Sequence, residues 1–220
     1  MVKPRRAHPK DPERTRERLL DAATRLFAIH GFDGATADQI AREAGVNKAM
    51  INYHFGGKQD LYRAILLDTL ERAGAALRDI RHADIPSEEK LSRYIATFTG
   101  LHDDRPTVSA MVLRELLSGG RFVDEAILPR FLELFASIRE IIAAGVRDGS
   151  FRPVNPLLTH ISLVGSLVFF YATAPFRERL LAEGKFAGAA PAVHEFTAHL
   201  EELFGRGLRA DPPPAQRSQP

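Results

Sequence analysis

Cysteine is absent from the 220 residues, which excludes disulfides, thiolate metal sites and a cysteine nucleophile. That fits a reducing cytoplasm, where the protein is expected to work. Strict alternation of apolar and polar residues is missing over any useful length, so nothing signals a sheet. Catalytic signatures are missing too: there is no GxSxG elbow, no phosphate-cradling GxxxxGK loop and no HExxH pair. The eight histidines are scattered, and His194 and His199, five apart, do not share a helix face. No enzyme activity, metal site or cofactor is expected. Arg5, Arg6 and Lys10 are followed by no apolar core, so the first residues do not read as a secretory signal. Internal repeats are absent as well.

Charge is missing from one long segment. Residues 153–176 contain no Asp, Glu, Lys or Arg, a length at which a membrane span comes into question. Against that reading, Thr159, His160, Ser162, Gly165 and Ser166 interrupt the run, and Pro156 and Pro175 bracket it. No basic cluster flanks it to set a topology. A helix apolar on all sides is expected instead between the core and a partner subunit.

What the chain does carry is concentrated in residues 36–61, TADQIAREAGVNKAMINYHFGGKQDL. Ile40, Ala41 and Ala44 recur at helical spacing, and Gly45 sits where a left-handed residue would stop that helix. Val46 and Ile51 resume the apolar pattern, with Asn47 placed to cap a second short helix. Two short helices joined this way form a helix-turn-helix, whose second helix can enter the DNA major groove. A helical hairpin inside an ordinary bundle is the plainer alternative. Net charge is only +2, but residues 1–60 hold 11 Lys/Arg against 8 Asp/Glu, and residues 1–18 hold 7 against 3. A basic arm leading into such a hairpin fits a DNA footprint.

The segment GVNKAMINYHFGGKQDLY resembles the recognition region of the tetracycline-repressor (TetR) family of bacterial regulators. Gly45, Val46, Asn47, Ala49, His54, Phe55, Lys58 and Leu61 carry the likeness, with Asn52 standing where many members have tyrosine. Upstream, RLLDAATRLFAIHGF (residues 18–32), Thr36 and Ile40-Ala41 extend it, so that it covers residues 14–65. The resemblance implies a homodimer that binds a palindromic operator in double-stranded DNA and represses transcription until a small effector releases it. An activating or ligand-independent DNA-binding regulator is the alternative within that class. A helical lipid or small-molecule carrier that never meets DNA is the alternative outside it.

The chemistry of the second short helix suits DNA. Lys48 can donate to guanine, Asn47 and Asn52 can bond adenine, and Ala49 or Met50 can touch a thymine methyl. Tyr53, His54 and Lys58 are candidate phosphate contacts, as is Thr36 at a helix start, with Arg5 and Arg6 on the arm.

The expected fold is all-α. Residues 1–13 form a flexible basic arm and residues 14–60 a three-helix DNA-binding head. Residues 61–205 form a helical body for ligand binding and dimerisation, and residues 206–220 a disordered proline-rich tail. Helices are expected over residues 14–30, 58–80, 87–98, 106–117, 122–147 (restarting at Pro129), 157–173 and 191–204. Candidate effector contacts are Tyr94, Phe98, His102, Met111, Arg114, Phe131, Phe135, Phe169 and Tyr171, whose composition favours a mainly apolar effector. His160 reads as a hydrogen-bonded core histidine. Candidate dimer contacts are Leu163, Leu167 and Phe170 on the uncharged helix, with Phe196 and Leu200 on the last one.

Overall fold

The computed structural model describes residues 12–185 and 190–210. Arg5, Arg6 and the proline-rich end of the tail lie outside the described residues. Among the described residues the chain is a set of α-helices, as expected, with a single isolated β-bridge between Phe151 and Arg209.

The head is built from α1 (Pro12–Gly34), α2 (Ala37–Glu43), α3 (Ala49–Phe55) and the start of α4 (Lys58–His82). Gly31 leaves helical geometry at φ +71°, so the chain turns where a stop is expected, although one further helical turn follows it. The α1 stripe of Leu19, Ala22, Ala23, Leu26 and Phe27 is buried against Ile40, Ala41, Ala44 and Ile51. Burying one such large side chain stabilises the fold by about 1.5–3 kcal/mol relative to leaving it in water.

α4 has 25 residues, about 37 Å at 1.5 Å per residue, and runs out of the head into the body. There it packs on α5 (Ser87–Asp104) and α7 (Leu128–Asp148), while α6 (Pro106–Leu117) packs on α1. α8 (Pro156–Ala172) and α9 (Ala174–Ala182) follow, and α10 (Val193–Leu208) packs on α5. One buried apolar cluster continues from Leu19 in the head to Leu208 in the last helix. Head and body therefore share a core through α4 and α6.

Three local expectations are corrected. Residues 122–127 are turns rather than helix: Asp124 Oδ1 accepts from Ala126 N at 3.0 Å and Ile127 N at 3.2 Å, and Pro129 then sits in the first turn of α7. Pro175 opens a helix instead of only closing one, since proline suits a first turn as well as a stop; α9 follows α8 at a bend of 51°. The ordered chain also continues past residue 205. Arg152 N donates to Leu208 O at 2.8 Å and Ala210 N to Ser150 O at 3.0 Å, fastening the end of α10 to the α7–α8 connection. Phe151 reaches that junction over Gly145, where an added Cβ would collide with its ring. Among the described residues no single helix is long and apolar enough to cross a membrane; α8 and α9 meet that test only when taken together across their bend.

Candidate nucleic-acid interface and ligand cavity

The head sets α3 by short-range chemistry. Thr36 caps α2: its Oγ1 accepts from Gln39 N at 3.2 Å, and its own N–H donates to Gln39 Oε1 at 2.8 Å. The T-x-x-Q spacing of Thr36 and Gln39 is the sequence signature of this reciprocal capping box. At the other end Gly45 N donates to Arg42 O and Val46 N to Ala41 O, the paired bonds that close a helix through a left-handed residue. Asn47 Oδ1 then accepts from Ala49 N at 2.8 Å and starts α3, as expected of it.

α3 is anchored by Ile51, which is buried, and by Phe55, under the guanidinium of Arg16 at 5.3 Å. Its other side is open. Asn47, Lys48, Ala49, Asn52 and Tyr53 are exposed, Tyr53 at 75%, while Met50 and His54 are half-buried. The Tyr53 ring meets the His54 ring edge-on at 4.9 Å. Lys48 Nζ rests on Asp38 Oδ2 at 2.8 Å, an exposed pair worth at most about 1 kcal/mol and therefore readily exchanged for another anion.

Lys58 is placed differently from a free phosphate clamp. Its ammonium donates to Phe32 O at 2.8 Å and Ala35 O at 3.0 Å, and lies 4.1 Å from the centre of the Phe32 ring. It locks the α1–α2 turn to the start of α4, leaving one N–H donor for any other partner.

Arg114, expected at the effector site, instead joins body to head. Its guanidinium donates from Nε to Ala28 O at 2.9 Å and from Nη2 to Ile29 O at 3.0 Å. Next to it, Glu115 is 1% exposed and accepts from Tyr62 OH at 3.0 Å and Phe122 N at 2.6 Å. Phe27, Phe32, Tyr62 and Phe122 close around this network with ring centres 4.4–6.0 Å apart. Burial, and then the Glu115 carboxylate, push the Tyr62 hydroxyl well above the usual phenol range. It stays a neutral donor.

A cavity of about 360 Å³ opens among α4, α5, α6, α7 and α8, within the size range of small-molecule sites. Phe98, His102 and Phe131, named above as candidate effector contacts, line it, and Leu70, Val108, Val112, Leu134, Val164 and Val168 are among its apolar wall residues. His102 donates from Nδ1 to Phe98 O at 2.7 Å, since a carbonyl only accepts, and this fixes the N–H on that nitrogen. Burial pulls the His102 pKa below the ordinary histidine value against the raising effect of that bond, so the ring is neutral at pH 7. His160 is hydrogen-bonded, as expected, with Tyr94 OH 3.4 Å from Nδ1, but it also lines the cavity. Its pKa is likewise lowered by burial.

The other expected contacts stand outside the cavity. Tyr94 and Met111 are buried in the core, Phe135 packs edge-on to His160 at 5.7 Å, and Phe169 is 64% exposed. Tyr171 donates to Thr99 O at 3.0 Å and stacks on His102 at 5.3 Å; burial, then Asp103, push its pKa up to about 12.

The expected dimer contacts divide in the same way. Leu163 and Leu167 are 0% exposed inside the protomer, and Leu200 is buried too, so none can meet a partner. Phe170 and Phe196 stack on each other at 3.8 Å across α8 and α10. The outer stripe of α8 is Leu158, Ser162, Gly165 and Phe169, spaced four, three and four; Leu203 is exposed on α10.

Against known proteins, residues 19–65 match the bacterial regulatory proteins of the tetR family, and residues 87–209 match the tetracyclin repressor-like C-terminal domain. The chain is 30% identical over 138 residues to the HTH-type transcriptional regulator RutR of Escherichia coli K12, covering 63% of this chain and 65% of that protein. It is 30% identical over 162 residues to the HTH-type transcriptional repressor NicS of Pseudomonas putida, covering 72% of this chain and 76% of NicS. A tetR-family regulatory protein from Rhodococcus shares the fold at a TM-score of 0.72 and 19% identity, over 90% of this chain and 98% of that one. The helix-turn-helix, the helical body and both matched regions lead to one assignment: the chain belongs to the TetR family of bacterial transcriptional regulators.

Proposed function

We propose that the protein is a repressor that binds a palindromic operator as a homodimer and leaves it when a small, mainly apolar molecule fills the body cavity. The exposed side of α3 carries this reading, because Asn47, Lys48, Ala49, Asn52 and Tyr53 stand clear of the core on a helix rigidly held from behind. Two such heads on a two-fold axis would read inverted half-sites. The division of labour is a head over residues 14–60 and a body from residue 61 onward. Selecting bound duplexes from a random pool tests the whole reading, since a palindromic product reports sequence preference and symmetry together.

Within that product, Lys48→Ala is expected to leave the fold intact while changing DNA binding. Loss of preference at one base pair, about 1–3 kcal/mol, would identify a base contact; an even loss with a shallower salt dependence would identify a phosphate contact. Unchanged affinity and preference in retardation assays would take α3 out of the interface.

The dimer face follows from the outer stripes. The four-three-four spacing of Leu158, Ser162, Gly165 and Phe169 is the pattern by which one helix seats another, and the two small residues permit close approach. Phe169→Glu is expected to yield folded monomers by analytical ultracentrifugation, because an unpaired charge buried in an interface costs about 3–5 kcal/mol. Leu167→Glu, by contrast, should unfold the protomer. A dimeric Phe169→Glu would move the interface off this stripe.

A further inference from the structure

One end of the cavity carries an excess of positive charge that an apolar effector would leave unused. Arg72 on α4 and Arg105 at the α5–α6 junction both line it. The two guanidiniums share one carboxylate: Arg72 Nε lies 3.1 and 3.0 Å from the two oxygens of Asp68, and Arg105 Nη1 lies 2.9 Å from Oδ2. The cluster is thus +1, with several guanidinium N–H donors left over. No Asp or Glu is among the residues lining the cavity. Both arginines are partly exposed, so they stand at the mouth and need no complete desolvation to take an anion.

The rest of the wall sets the other end. Phe98 and Arg105 are seven residues apart on or just beyond α5, about 10 Å along the axis. Between and opposite them lie Leu101, Val108, Val112, Leu134, Val164 and Val168. The remaining polar side chains of the wall are Thr69, whose hydroxyl donates to Ile65 O, and the neutral imidazoles of His102 and His160, so that end offers no charge to a second anion or cation.

We propose that the cavity takes a monocarboxylate amphiphile, its carboxylate held at the mouth by Arg72 and Arg105 and its apolar body laid along α5 toward Phe98. This rests on the reading of the cavity as the effector site of a DNA-binding regulator, and names the class of that effector. Guanidinium–carboxylate recognition is directional and charge-assisted, so a neutral molecule of the same shape is discriminated against.

The test uses the full chain without DNA and compares sodium octanoate with 1-octanol by calorimetry. Octanoate is expected to bind about ten- to a hundredfold more tightly, the range for hydrogen bonds to a charged group. The Arg72→Gln/Arg105→Gln double variant should lose that preference while keeping octanol binding. Asp68→Asn, which raises the cluster to +2, should tighten octanoate alone; it keeps the proposal testable if the double variant does not fold. Equal binding of the two probes, binding of neither, or an undiminished preference in the double variant would overturn the proposal. Because DNA is absent, these outcomes are independent of the regulator reading. That reading fails separately, if no duplex is retained from a random pool.

Discussion

Glu115→Ala is expected to destabilise the protein by about 2–6 kcal/mol, because it strands two buried donors at roughly 1–3 kcal/mol each. Tyr62 OH and Phe122 N both end on the Glu115 carboxylate, and both bonds are buried. With total stabilities of about 5–15 kcal/mol, that loss would bring the fold near its limit. Urea denaturation checks it: the midpoint should fall with the slope unchanged. Glu115→Gln should fall between, since one amide oxygen accepts from one donor while its NH2 faces the other. A loss under about 1 kcal/mol for Glu115→Ala would mean that the network relaxes to find other acceptors.

That network was not legible in the sequence, and the reason is general. Glu115 lies one residue from Arg114 on an unremarkable helix, and its partners Tyr62 and Phe122 are 53 and 7 residues away. Charge and spacing within α6 say nothing about which neighbour arrives. The head was legible because its determinants are local: Thr36 with Gln39, Gly45 at φ +62°, and Asn47 with Ala49 all act within three residues. Lys58 shows the limit even there, since a lysine at a helix start looks the same whether it grips a phosphate or the carbonyls of Phe32 and Ala35.

α8 fails in another way. A helix apolar on every side announces that it is buried without saying which stripe meets its own core. Leu163 and Leu167 were the natural choices by hydrophobicity, and the core took them; the outer stripe is left to Leu158, Ser162, Gly165 and Phe169. Phe98, His102 and Phe131 were found at the cavity because aromatic residues mark large apolar spaces. Arg72 and Arg105 were not, since arginines beside Asp68 read as an ordinary exposed ion pair.

An effector in the cavity is expected to weaken DNA binding about 5- to 150-fold, and DNA must weaken effector binding by the same factor. Two helices can carry that coupling. α4 lines the cavity with Thr69, Leu70, Arg72 and Ala73, and begins at the Lys58 lock in the head. α6 lines it with Val108, Val112, Leu113 and Leu116, and Arg114 on the same helix holds the carbonyls of Ala28 and Ile29 near the turn of α1. Half-sites about 34–36 Å apart demand a fixed separation of the two heads, so a displacement of a few ångströms on either route would unseat one of them. Arg114→Ala separates the routes. It touches no cavity wall, so octanoate affinity without DNA should be unchanged, while the ratio of affinities with and without a selected duplex should fall toward one. Calorimetry in both conditions measures that ratio. A variant that keeps the full ratio assigns the coupling to α4 alone, and equal affinities in the unaltered protein would leave the body with dimerisation as its only task.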